Sequence, residues 1–165
     1  MKTMMQAIFA MILTIATSGI AMAETAFDAQ GCAIVPSINS GYNSSISREW
    51  TFINLSNISN KNVQCLITIY DQNGDTVTSG MTVYAGPTVV SSGTGQFDIP
   101  AHATRRIIFN AANIGVHAFY GHAVIEWKSD DSRHRKALIG AIEKLRMHGN
   151  GLLKGEFLIN SGQPF

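Results

Sequence analysis

Beyond its first two dozen residues the chain is built from short stretches in which every second residue is hydrophobic. The clearest is 63–70, where Val63, Cys65, Ile67 and Ile69 share one parity, the period-two pattern of a half-buried strand. Trp50, Phe52, Ile53 and Leu55 make a partly alternating run, and 106–109 and 122–127 are two more. Turn signals separate these runs. Asp71-Gln72-Asn73-Gly74-Asp75 lies between 63–70 and Thr76-Val77-Thr78, and Asn-Gly between two strand runs predicts a hairpin because both positions tolerate positive φ. Three stretches read as loops: the small, polar 37–47, the Gly- and Pro-containing 86–96, and the charged 128–136. Segment 137–147 fits two patterns. Leu138, Ile139, Ile142 and Leu145 form a helical stripe, whereas Ala137, Ile139, Ala141, Leu145 and Met147 form one face of a strand interrupted by Glu143. Gly149-Asn150-Gly151 and the β-like run after it favour a hairpin, and so a strand. Many short strands with Gly/Asn turns predict an all-β chain folded as a single antiparallel β-sandwich.

The start of the chain follows another rule. Lys2 precedes an apolar run from Met4 to Met22 that ends in Ala21-Met22-Ala23. A positive start, a short apolar core and a small-x-small site make residues 1–23 a secretory signal peptide. The chain is then exported, to the periplasm or the extracellular space, with the sandwich domain spanning 24–165. No later apolar run reaches the ~20 residues that a transmembrane helix needs. Export changes the reading of Cys32 and Cys65, the only two cysteines. An isolated pair in an oxidising compartment predicts one disulfide, with Cys65 facing inward to bridge two layers and a stabilisation of roughly 3–4 kcal/mol. Ala29-Gln30-Gly31-Cys32 has the outline of a lipid-attachment box, but Glu24 and Asp28 separate it from the apolar run.

Charge removes one class of partner. Residues 24–101 hold two basic and six acidic residues, and 102–165 hold nine and five, so the mature chain is near neutral. Nucleic acid is not expected as a partner, since phosphate binding needs a strong basic excess. The sharpest basic cluster is Arg133-His134-Arg135-Lys136, the candidate binding site for an anionic glycan, lipid headgroup or acidic protein face. Asp71, Asn73 and Asp75 have the spacing of an EF-hand's first ligands, but Thr76 stands where the loop needs glycine and Thr82 where it needs glutamate. The five histidines (His102, His117, His122, His134, His148) show no ligand spacing, and there is no Gly-x-Ser-x-Gly. No catalytic residue, metal ligand or cofactor is assigned.

Four pieces of the central block carry a resemblance: Phe52-Ile53-Asn54-Leu55, Leu66-Ile67-Thr68-Ile69-Tyr70-Asp71, Phe97-Asp98-Ile99-Pro100-Ala101 and Arg106-Ile107-Ile108-Phe109-Asn110. A hairpin, a Pro-Ala corner and a strand ending in Asn weakly resemble the sensory rhodopsin transducer family and related bacterial immunoglobulin-like sandwiches, over roughly 50–127. The resemblance implies an immunoglobulin-like sandwich that binds a partner or small ligand, with a homo-oligomer among its forms. The export signal and the cysteine pair depart from that family, so a cytoplasmic signalling role does not carry over. The expected function is a non-enzymatic binding protein for a protein or glycan partner at the cell envelope. The alternatives are a structural subunit of a surface assembly, whose run from Glu156 to Phe165 adds a strand to a neighbour, and a small hydrolase or metal-dependent enzyme whose histidines the fold gathers.

Overall fold

The computed structural model describes residues 27–165 except 45, 46, 94 and 116; the signal-peptide expectation for 1–23 lies outside the described residues. Among the described residues eleven strands run β1 (Gly31–Ser44), β2 (Ser47–Asn57), β3 (Val63–Tyr70), β4 (Thr76–Val77), β5 (Met81–Ala85), β6 (Thr88–Ser92), β7 (Gln96–Ile99), β8 (Thr104–Phe109), β9 (Ala118–Ser129), β10 (Leu138–His148) and β11 (Gly151–Leu158). Two short 3-10 turns, Ala111–Ile114 and Ile159–Gly162, complete the chain, and no α-helix occurs among the described residues. Every strand pair is antiparallel.

The strands form one continuous sheet, ordered β4-β3-β9-β1-β2-β8-β5-β6, with β7 beside β3 and β10-β11 on the far side of β2. The long β1 joins its two halves. It pairs with β9 from Gly31 to Gly41 and with β2 from Gly41 to Ser44, and a register break between Val35 and Ile38, around Pro36, lies within the β9 pairing. Such bulges bend a strand and let it change direction. Both halves send alternate side chains into one core. Val63, Cys65, Ile67 and Ile69 enter from β3, Ala123, Ile125 and Trp127 from β9, Ile53 and Leu55 from β2, and Ile107 and Phe109 from β8. Burial of each large aliphatic side chain contributes roughly 1.5–3 kcal/mol. Trp127 lies fully inside against Gly31, where a Cβ would fall 2.5–2.9 Å from the indole.

The β3 hairpin, the strand over 137–147 and the hairpin after it match the sequence pattern. Two expected loops do not. Residues 37–47 are mostly strand, and 86–96 contain β6 and reach β7. The polar stretch in β1 is held by its neighbours. Asn39 N–H donates to Thr51 Oγ1 (3.0 Å), Thr51 Oγ1 donates to the Asn39 carbonyl (2.8 Å), and the buried Ser40 Oγ accepts from Ala111 N (2.9 Å).

The expected Cys32–Cys65 disulfide is not formed; both are free thiols. Strand parity across β9 explains it. Cys32 faces Glu126 on one side of β9 and Cys65 faces Trp127 on the other. Consecutive residues point to opposite faces, so Cys32 is exposed and Cys65 buried. The two thiols stand on opposite sides of a sheet, on strands about 9.5 Å apart with a third between them, whereas a disulfide needs Cα atoms within ~7 Å. Burial, and secondarily the Asp98 charge, push the Cys65 thiol up to about 12.

Candidate functional site

The β10–β11 arm carries five of the ten exposed large hydrophobic residues among those described. β10 pairs with β2 along its whole length, from Leu138 opposite Asn57 to His148 opposite Ser47. On its other side it pairs with β11, from Ala141 opposite Leu158 to His148 opposite Gly151. Gly149 carries φ of 58°, and a positive φ confined to the first central position of a two-residue loop is the type II′ pattern. The outer edge of β11 pairs with no strand among the described residues.

Apolar side chains occupy both faces of this edge strand: Leu152 (64% exposed), Leu153 (70%), Phe157 (56%) and Leu158 (64%). Leu153 and Phe157 share the core-side face, opposite Arg146 and Ile142. Ile142 is buried while Phe157 beside it is not, so the opposing half of the sheet ends under β10. Lys144 Nζ donating to Ser37 Oγ on β1 (2.6 Å) lies at that rim. Leu152, Lys154, Glu156 and Leu158 share the outer face. There Glu143 takes Arg106 at 2.8 Å and Lys154 at 3.2 Å, and Arg106 also covers the Phe52 ring at 5.2 Å. Glu156 stands directly opposite Glu143 and has no ion-pair partner among the described residues.

The predicted basic cluster occupies the turn from β9 to β10, at the opposite end of β10 from the arm's tip. Its four residues are not equivalent. Arg133 is neutralised within the turn: Nε and Nη2 donate to the Asp131 carboxylate at 2.9 and 2.8 Å. These bonds hold the Asp131 carboxyl well below the usual carboxylate range and raise Arg133. His134 is half-buried, its Nδ1 3.4 Å from Ser129 Oγ and its N–H on the Asp131 carbonyl at 3.1 Å. Arg135 and Lys136 are exposed and form no ion pair among the described residues.

The remaining candidates stay dispersed. Asp71 uses its carboxylate inside its own turn, accepting from Asn73 N at 2.8 Å and Asp75 N at 2.9 Å, which accounts for the EF-hand-like spacing. His122 stacks on Tyr70 (5.0 Å between centroids) and His102 sits at the Pro100 corner with φ of 58°. His117 lines a shallow cleft with Glu49, Tyr120 and Arg146. Among the described residues no group of three His, Cys, Asp or Glu lies close enough to hold a metal, and no helix is long and apolar enough to cross a membrane. Of the run 156–165 expected to reach a neighbour, 156–158 belong to β11 and 159–165 fold back onto the start of β10. Phe165 O accepts from Ala137 N and Leu138 N (3.0 and 3.1 Å), Phe165 N donates to Leu138 O (3.0 Å), and Ile159 and Phe165 are buried. The open edge is 151–158, whose sequence carries apolar residues on both parities. That pattern fits a strand buried on both faces or one that lacks its neighbours.

No family model matches the chain, and no curated protein matches it. Among solved structures the chain is similar to Thermotoga maritima 1070, at 9% identity over 83% of this chain and 100% of that one, with a TM-score of 0.48. The expected weak resemblance to the sensory rhodopsin transducer and to immunoglobulin-like domains recurs among the solved structures. The Anabaena sensory rhodopsin transducer is similar at 17% identity over 66% of this chain and 90% of that one, TM-score 0.39. ACE19, the collagen binding subdomain of the Enterococcus faecalis surface protein ACE, is similar at 7% identity over 75% and 92%, TM-score 0.25. None of these likenesses transfers a residue role to this chain.

Proposed function

We propose that this chain is an exported, non-enzymatic β-sandwich of immunoglobulin-like build that works by binding a macromolecular partner at the cell envelope, and that the β10–β11 arm is its contact. The observation that carries the reading is the β11 edge. It is eight residues long, contains no proline and no register break, and leaves four large apolar side chains more than half exposed. Soluble sheets ordinarily blunt such edges with short strands, prolines, bulges or inward charges, and exposed apolar clusters mark interaction sites. Strand addition to an open edge supplies backbone hydrogen bonds, while alternate side chains supply specificity. The exposed Arg135 and Lys136, at the far end of β10, offer a second and weaker contact for an anionic glycan or acidic protein face.

Photo-cross-linking in the producing host tests this. A photoreactive residue is placed at Leu153 or Phe157, with Val90 on β6, also exposed (45%), as control. The expected result is a chain that begins at Glu24 in the envelope fraction or the medium, with one adduct of defined mass from both arm positions. Leu158→Lys abolishes that adduct, and Val90 gives none. A cytoplasmic chain retaining residues 1–23, or arm positions no more productive than Val90, overturns the reading.

A further inference from the structure

We propose that the occupant of the β11 edge is a second copy of this chain, paired antiparallel about a two-fold axis through Gly155. This rests on the reading of the arm as a contact and names its partner. The register follows from two constraints.

The first is hydrogen-bond parity. His148 and Gly151 close a two-residue hairpin, and such a closing pair exchanges hydrogen bonds. Leu153, Gly155 and Phe157 therefore turn their backbone groups toward β10, while Leu152, Lys154, Glu156 and Leu158 turn theirs to the open edge. Only registers that oppose even-numbered residues to even-numbered ones can form a ladder.

The second is charge. An axis at Lys154 sets Lys154 against itself, and an axis at Glu156 sets Glu156 against itself. An axis at Leu153 sets Lys154 against Leu152 and Glu156 against Asn150, and an axis at Phe157 sets Glu156 against Leu158 and Lys154 against Asn160, so neither joins the two charges. The Gly155 axis sets Lys154 against Glu156 of the copy, Leu152 against Leu158, and Leu153 against Phe157, each twice by symmetry. Opposite charges and apolar pairs directly across a ladder are stabilising and like charges are not, and an isologous interface must be self-complementary in this way. A parallel in-register pairing would align lysine with lysine.

The seam also resolves a conflict inside the monomer. Glu156 faces Glu143 with no cation of its own. The copy's lysine arrives opposite Glu156 and extends the Arg106–Glu143–Lys154 row across the axis. The other edge of the same half, β6, is a poorer partner. It has five residues, and its pairing with β5 shifts register between Val83 and Tyr84, both devices that blunt an edge.

The test uses the mature chain carrying Cys32→Ser, which removes the exposed thiol, and reads mass by sedimentation and light scattering up to about 1 mM. The expected result is a dimer that stops at two. Lys154→Glu and Glu156→Lys each weaken it by about tenfold or more. An equimolar mixture of the two single variants regains a heterodimer, and the double variant regains the homodimer. Gly155→Cys cross-links to itself under mild oxidation, since an opposed pair without hydrogen bonds has Cα atoms about 4.5 Å apart. Leu153→Cys and Phe157→Cys, which face each other and not themselves, do not. At a dilution where both chains are monomeric, Glu156→Lys melts no lower than the parent, which separates lost pairing from lost folding.

A chain that stays monomeric overturns the self-pairing, and the arm remains a contact for another protein if the photo-adduct has a different mass. A dimer that ignores the charge swaps and leaves Gly155→Cys uncross-linked uses another register or surface and also overturns it. Growth beyond two copies overturns it in favour of head-to-tail joining of β11 to β6.

Discussion

Asn57 ties three separate segments together from inside the fold. It is 2% exposed. Its amide nitrogen donates to the carbonyls of Lys61 (2.7 Å), Ile99 (3.0 Å) and Pro100 (3.1 Å), and its Oδ1 accepts from Ser59 N (2.9 Å) and Ser59 Oγ (2.8 Å). One side chain thus holds the 58–62 connection and the Pro100 corner against the end of β2. Asn57→Ala removes all five bonds. Water can reach the Lys61 and Ser59 groups, at a net loss of about 0.5–1.5 kcal/mol per bond at most, but the buried Ile99 carbonyl bears a full desolvation cost of about 1–3 kcal/mol. A total near ~3 kcal/mol is expected, a fall in melting temperature of about 10 °C for a domain of this size. Asn57→Asp is the sharper probe. It preserves shape and the Oδ1 acceptor but aims a second oxygen at three carbonyls, so the folded state favours the protonated carboxyl and raises its pKa above the unfolded value of about 3.9. A raised carboxyl pKa gives stability that is present below the unfolded pKa and lost as pH rises through the folded one. The deficit of Asn57→Asp relative to the parent should therefore be smallest near pH 4 and largest at pH 7. Thermal unfolding followed by circular dichroism at both pH values reads this directly. An Asn57→Asp melt equal to the parent's at pH 7, or a deficit that shrinks as pH rises, refutes the assignment.

Three further outcomes follow from the same geometry. In the native protein iodoacetamide should label Cys32 alone, with Cys65, its thiol raised to about 12, reacting only after unfolding; a mass short by two hydrogens and no labelling would restore the disulfide. Gly31→Ala drives a methyl into the Trp127 indole and should cost roughly 1–3 kcal/mol as overpacking, with a change in tryptophan emission; a neutral substitution would mean that the indole sits elsewhere. Asp131→Asn should speed tryptic cleavage in the 130–137 turn by freeing Arg133. Because the Asp131 pKa is depressed, the parent's protection should hold throughout pH 5–8 and fade only below the usual carboxylate range; equal cleavage of parent and variant would show that the ion pair does not order the turn.

What the sequence makes legible here is parity, and what it hides is adjacency. The alternation of Val63, Cys65, Ile67 and Ile69 predicted a strand with one face inside, and all four are buried. Asn73-Gly74 predicted a turn, and the Asp71 carboxylate clasps it. The same parity rule, applied to one strand at a time, made Cys65 inward and then assumed a partner for it. Cys32 lies on the other face of the sheet, a relation set by the intervening β9 and invisible without the register. The 37–47 stretch escaped for a related reason. Its residues carry little strand signal, and it becomes a strand because β9 and β2 supply ladders on its two sides and Thr51 and Ser40 satisfy polar groups that would favour a loop. The arm lies between these cases. The run after Gly151 was readable as β-like, and its apolar residues on both parities were there in the sequence. Whether they faced a core depended on where the opposing layer stops, and that layer stops under β10, at Ile142 and not at Phe157. An edge strand apolar on both faces, with one lysine and one glutamate placed symmetrically about a glycine, is therefore a pattern that single-chain burial does not explain and pairing across a two-fold axis does.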